Sequence, residues 1–197
     1  IISLLFSFIG FLILYYFLNF YTAFLSILSL IVYSFVYTPL KKITWLNTTI
    51  GAIPGAMPAL GGWAASANAL DPNAWILFSI LFLWQHPHFY AIALMCKKDY
   101  KKAGFQMLPV IENESNRTNR QILWHAFLLI PVSLFFVVTG ILGEIYFWGA
   151  SALGFGYLIS GIPLLKETTV DNAKLLLKTS VIYLPALLIV IFIDLNS

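Results

Sequence analysis

The stretch Pro72-Asn73-Ala74-Trp75-Ile76-Leu77-Phe78-Ser79-Ile80-Leu81-Phe82-Leu83-Trp84-Gln85-His86-Pro87-His88-Phe89-Tyr90-Ala91-Ile92-Ala93-Leu94 decides the fold. It carries no Asp, Glu, Lys or Arg, and its length matches the roughly 20 apolar residues that a helix needs to cross a bilayer core. Asp71 ahead of Pro72 supplies an N-cap followed by proline at the first helical position. Gln85, His86 and His88 interrupt the apolar run. Polar side chains in a membrane helix are costly unless they face a bundle interior or a water-filled cavity. The stretch therefore predicts a membrane helix with one side turned toward other helices.

Working outward, six more apolar stretches of similar length follow: Ile1–Leu18, Phe20–Tyr37, Thr48–Ala67, Ile122–Leu142, Ile145–Leu165 and Leu175–Ile193. The whole chain agrees with them. Of its 197 residues, 60% are hydrophobic and 10% charged, against roughly 25% charged in a soluble domain; the mean hydropathy is +0.89. That excludes a water-soluble fold and a disordered chain. The single Cys96 excludes a disulfide framework or a cysteine zinc cluster. A formal charge of +3 gives no reason to invoke nucleic acid. The expectation is an all-α polytopic membrane helical bundle forming a single domain over 1–197. The chain opens on Ile1 with no basic flank or cleavage site ahead of the first span, the expectation being a chain truncated at its N-terminus.

Charge sets the orientation. All 11 basic residues fall in or beside three alternate connections: Lys41 and Lys42 in the second, Lys97, Lys98, Lys101, Lys102, Arg117 and Arg120 in the fourth, Lys166, Lys174 and Lys178 at the sixth. The positive-inside rule makes that face cytoplasmic and places the C-terminus outside. The fourth connection, 95–121, is far longer than the about 2–8 residues usual between helices. It retains Phe105, Met107, Leu108, Pro109, Val110 and Ile111, so an ordered cytoplasmic cap is expected.

Three segments carry candidate chemistry. Tyr37-Thr38-Pro39-Leu40-Lys41-Lys42-Ile43-Thr44-Trp45-Leu46-Asn47 gathers ammonium, hydroxyl and amide groups at the membrane edge. They suit either a phosphate held by charge-assisted hydrogen bonds or a topogenic lysine pair with an aromatic belt. Thr48–Trp63 contains Gly51, Gly55, Gly61, Gly62, Pro54 and Pro58. Gly51 and Gly55, extended by Ala59 and Gly62, read as a small-residue face for close helix approach, and each proline frees a carbonyl one turn earlier. The third segment runs from Trp84 to Val110. His86 and His88 read as a hydrogen-bonded core pair or as metal or heme ligands. Asp99 is the one acid from Pro72 through Phe105 and sits among four lysines, reading as a salt bridge or a metal ligand. His125 reads as interfacial, Asn113 and Asn116 match glycosylation acceptors on the wrong face, and no nucleotide loop or nucleophile elbow is present.

Together these segments resemble protoheme IX farnesyltransferase, the heme O synthase family within the UbiA-type intramembrane prenyltransferases. The resemblance rests on Tyr37-Thr38 with Lys41-Lys42, Thr44 and Asn47, on Gly61-Gly62-Trp63-Ala64, on Trp84-Gln85 with Pro87-His88-Phe89, and on Asp99-Tyr100 with Ala103-Gly104 and Met107-Leu108-Pro109. It covers Tyr37–Val110 specifically and the whole chain by span pattern.

The resemblance implies nine helices around a central cavity, seven of them visible here, and an Asp-rich motif upstream of Ile1. It implies transfer of a farnesyl group from farnesyl diphosphate to a vinyl group of protoheme IX (heme B), which is a substrate rather than a cofactor. It further implies Mg²⁺ held by Asp99, directly or through water, with Asp99, Lys41 and Tyr37 catalytic. Lys42, Asn47, Gln85, His88 and Tyr100 would bind substrate, His88 and Gln85 by orienting the porphyrin, ligating its iron or positioning water. The implied setting is a lipid bilayer, specifically a bacterial cytoplasmic (inner) membrane, with heme A synthase or terminal oxidase assembly downstream. Alternatives are a relative acting on an aromatic quinone precursor, or a non-catalytic transporter or subunit.

Overall fold

A computed structural model describes residues 2–197, and Ile1, the first residue of the expected first span, lies outside them. Every regular element among the described residues is helical. In chain order they are α1 (Ile2–Phe17), α2 (Phe20–Ile31), a π-helical turn (Val32–Tyr37), α3 (Thr38–Leu40), α4 (Asn47–Ala67), α5 (Pro72–Met95), α6 (Lys97–Lys102), α7 (Leu108–Ile111), α8 (Asn116–Val138), α9 (Glu144–Gly161), α10 (Pro163–Lys166) and α11 (Val170–Leu195). Over the described residues each expected span falls on helix, the second divided among α2, the π turn and α3 and the sixth between α9 and α10. Phe20–Leu40, Pro72–Met95, Asn116–Val138, Glu144–Lys166 and Val170–Leu195 are long and apolar enough to cross a membrane. The protein is an integral membrane helical bundle.

The helix α5 is the hub, packing on α4, α8 and α11, while α9 closes the far side against α8 and α11. The Asp71 carboxylate starts it by accepting from Asn73 N (2.9 Å) and Ala74 N (3.2 Å). Trp63 Nε1 adds a third donor at 3.1 Å. Desolvation pushes the Asp71 carboxyl up, but these hydrogen bonds outweigh it and hold the group below its ordinary range. Just ahead of this start α4 stops at Asn68, in the left-handed conformation with φ 51°.

Between lipid-embedded helices the hydrophobic effect is absent, and packing plus interhelical hydrogen bonds must hold the bundle. Proline makes some of these bonds. Pro58 cannot donate to Pro54 O, and Ser29 Oγ of α2 takes that carbonyl at 3.1 Å. Asn19 joins the α1–α2 turn to the end of α4 by donating to Ala64 O at 2.6 Å. Trp84 Nε1 donates to Ser180 O (2.8 Å), Tyr157 OH to Trp84 O (3.2 Å) and Tyr146 OH to Ser133 O (3.0 Å). Asp194, near the end of α11, accepts from Gly143 N (2.6 Å) and Tyr146 N (2.9 Å), placing an anion at the α9 N-terminus.

Two boundaries depart from expectation, each for a local reason. The second span does not run as one α-helix, because Pro39 would clash with the carbonyl of Phe35, and the chain widens into the π turn beforehand. Thr38 donates through both N and Oγ1 to Tyr33 O, the hydroxyl at 2.8 Å. The helix α8 begins at Asn116, six residues before the expected Ile122. Its start is capped from outside, Glu112 Oε2 accepting from Thr118 N (3.1 Å) and Thr118 Oγ1 (2.9 Å). The segment 95–121 is thus built of α6, α7 and the first turns of α8.

Candidate active site

The π turn brings Tyr33 and Tyr37 together, with ring centroids 5.2 Å apart. One turn on, the Lys41 ammonium lies 4.3 Å from the Tyr37 ring centroid and 5.5 Å from that of Tyr33. Below this rim is a cavity of about 320 Å³ lined by Tyr33, Tyr37, Thr48, Gly51, Pro54, Gly55, Gln85, Phe89 and Met107. Residues from all three candidate segments therefore meet at one place.

Gly51 and Gly55 are what let them meet. A Cβ on Gly51 would lie 2.5 Å from Tyr37 Cε2, and one on Gly55 would collide with Gln85 Oε1. The pair makes room for two cavity side chains, in place of the neighbouring backbone expected from the spacing. Gly62, expected on the same face, meets nothing within 4 Å. The buried Gln85 amide donates to Leu81 O (3.0 Å) and Ala52 O (3.4 Å). Gly55→Ala is expected to displace it and leave buried polar groups unpaired, destabilising the protein by about 1–3 kcal/mol. Gly61→Ala, with nothing within 4 Å of its Cβ, is expected to leave stability unchanged or raised. Thermal unfolding in detergent compares the two.

The other expected residues are placed as follows. Asn47 is buried 3.3 Å from Thr48 Oγ1, which donates to its Oδ1, and its Nδ2 donates to Thr44 O at 2.6 Å, closing the turn into α4. Lys42 is exposed on the same rim. His88 turns toward α11, stacked on Trp84 at 4.7 Å with Nδ1 2.8 Å from Ser180 Oγ. Ser180 gives its own proton to Leu177 O (2.6 Å), so His88 Nδ1 is the donor and Nε2 keeps its lone pair. His86 faces elsewhere, and the expected His86–His88 pair does not form. His86 Nδ1 donates to Phe82 O (2.8 Å), its Nε2 accepts from Thr49 Oγ1 (3.2 Å), and its ring stacks on His125 at 3.9 Å. His125, expected at the interface, is thus a partner inside the bundle.

Asp99 lies in the first turn of α6, exposed, with no cation within ion-pairing distance among the described residues. Tyr100 beside it packs on Phe105 with centroids 5.7 Å apart, and its phenol is within electrostatic range of Tyr37. Burial pushes the Tyr100 phenol up, with Cys96 adding to the effect, so it remains a neutral donor at physiological pH. The cap is latched to the rim by Gln106 N donating to Lys41 O at 2.7 Å. Lys97 Nζ donates to Glu112 O (2.8 Å), and the Arg117 guanidinium sits 4.8 Å from the Trp45 ring centroid. Tyr33, Phe89 and Met107 were not singled out as site residues from the sequence; Tyr33 could have been, since Tyr33, Tyr37 and Lys41 recur every four residues.

Residues 1–182 match the model of the UbiA prenyltransferase family. The chain belongs to this family. Among UbiA-family relatives, it is 46% identical over 188 residues to the protoheme IX farnesyltransferase of Solibacter usitatus, covering 95% of this chain and 64% of that protein. It is 44% identical over 162 residues to the Salinibacter ruber protein of the same name, covering 82% and 57%. The chain spans about three fifths of the length of these curated relatives. A solved digeranylgeranylglyceryl phosphate synthase is similar in fold, with a TM-score of 0.80, 19% identity, and coverage of 100% of this chain and 69% of that one.

Prenyltransferases of the UbiA family generally use a divalent metal. Among the described residues no three His, Cys, Asp or Glu side chains converge. Asp99 offers one unpaired carboxylate, which fits a hard cation bound through one or two carboxylates together with substrate phosphate oxygens.

Proposed function

We propose that the full-length protein transfers a farnesyl group from farnesyl diphosphate to a vinyl group of protoheme IX, giving heme O and diphosphate. The observation that carries this reading is the convergence of Tyr37, Gly55 and Gln85, one from each segment, on the cavity beneath Lys41. The names of the Solibacter and Salinibacter relatives support it. In this reading 1–197 acts as one transmembrane domain, and 95–121 covers the cavity mouth. The basic connections face the cytoplasm of a bacterial inner membrane, the C-terminus lies outside, and heme O passes on to heme A synthase or terminal oxidase assembly.

Lys41 and Lys42 hold the diphosphate, with the Tyr37 hydroxyl donating to one of its oxygens and Tyr100 donating from the cap. Mg²⁺ bound by Asp99 would neutralise charge on the departing diphosphate. Gln85, Phe89 and Met107 line the cavity that keeps water from the farnesyl chain. His88 Nε2 is the basic nitrogen available to orient the porphyrin, ligate its iron or position water, while Asn47 holds the rim in shape.

The test uses membranes carrying the full-length protein, given farnesyl diphosphate, heme B and 4-hydroxybenzoate in competition, with products identified by mass. Hydroxyethylfarnesyl heme with matching diphosphate release is the expected result. Prenylated hydroxybenzoate in its place would move the reading to a quinone-precursor prenyltransferase, and absence of both products would end the prenyltransferase reading.

A further inference from the structure

The Lys41 ammonium does not point at a carboxylate. No acid lies within 4.0 Å of it among the described residues, and it rests over two aromatic faces. An ammonium over the face of an aromatic ring is drawn there by the ring's quadrupole. The place where this cation settles therefore marks where the protein stabilises positive charge. Tyr33 and Tyr37, tilted 56° to each other, form that seat, and both line the cavity. The π turn, closed by Thr38 on Tyr33 O, sets their spacing.

From this geometry we infer that Tyr33 is a catalytic residue whose ring face, with that of Tyr37, stabilises the allylic cation of the prenyl chain, and that Lys41 holds the seat until substrate arrives. The inference rests on the proposed prenyl transfer. Lys41 has a flexible four-carbon stem and a strong preference for phosphate over an aromatic ring. When the diphosphate docks, the ammonium moves to it and leaves the two faces to C1 of the farnesyl group. The C1–O bond breaks, and its electron pair leaves with the diphosphate. The π electrons of the heme vinyl group then form the new bond to C1. A water oxygen adds to the resulting carbocation next to the pyrrole, and the proton it loses leaves to solvent. Through the first two steps a full positive charge is held in a dry cavity, where an aromatic face contributes more than it does in water.

The test replaces Tyr33 in the full-length protein, in membranes. Tyr33→Phe is expected to stay within about twofold of the parental kcat, since the ring face remains. Tyr33→Leu is expected to lose about tenfold in kcat, with KM for farnesyl diphosphate unchanged. A Tyr33→Phe series carrying one, two and three ring fluorines keeps the shape and removes the negative face stepwise. In that series log kcat is expected to fall in even steps, as is the rate of bridge-to-nonbridge ¹⁸O scrambling in farnesyl diphosphate, which reports ionisation whatever the acceptor. A flat series with an active parent would overturn the role of Tyr33 and leave the prenyl transfer standing. A parent that neither scrambles the label nor releases diphosphate would overturn both.

Discussion

Lys41→Ala in the full-length protein is expected to lower kcat/KM for farnesyl diphosphate by about 10²–10³-fold, the range seen when one preorganised charge-stabilising group is removed from an active site. The leaving group carries several negative charges, and Lys41 is the half-buried cation beside Tyr37, whereas Lys42 is exposed. The loss should fall on both kcat and KM, because the ammonium meets the diphosphate before and during bond breaking. Lys41→Arg keeps the charge in a planar fork that does not sit where the compact ammonium does, and should recover only part of the rate. Steady-state diphosphate release from membranes reads all three proteins. An alanine variant at the parental rate would remove Lys41 from the mechanism.

Asp99→Asn is expected to cost about 10²–10³-fold in kcat while leaving the fold unmoved. Among the described residues the exposed side chain has neither a hydrogen bond nor an ion pair to lose, and α6 is held by backbone bonds such as Ala103 N to Asp99 O at 3.0 Å. Surface changes of this type usually stay within about 0.5 kcal/mol. The distinguishing readout is the Mg²⁺ titration of activity: the concentration for half-maximal rate should rise at least about tenfold in the variant, with unaltered thermal unfolding. An unchanged titration would mean that Asp99 is not a ligand.

The spans could be read from the chain because length and apolarity are properties of each segment alone, and Asp71 could be read as a cap because capping is local. The meeting of Tyr37, Gly55 and Gln85 was legible only as three separate segments. What was hidden depended on partners distant in sequence. Gly51 and Gly55 look alike whether a backbone or a side chain approaches them, and only the positions of Tyr37 and Gln85 decide. The His86–His88 pairing was avoidable, since residues two apart on a helix point about 200° away from each other. The true partner, His125, lies on α8. The π turn required knowing that the clash at Pro39 would be relieved by widening the helix instead of ending it.

That widened turn gives the second span one residue of slack. A π turn carries one residue more than the α-helical turn it replaces, so loss of one residue between Val32 and Tyr37 would close it to ordinary helix and leave the lysine rim near its old rotation. Such a shortening would instead unseat the two rings by setting them three positions apart in place of four, so the segment tolerates drift in length at the rim but not between its tyrosines.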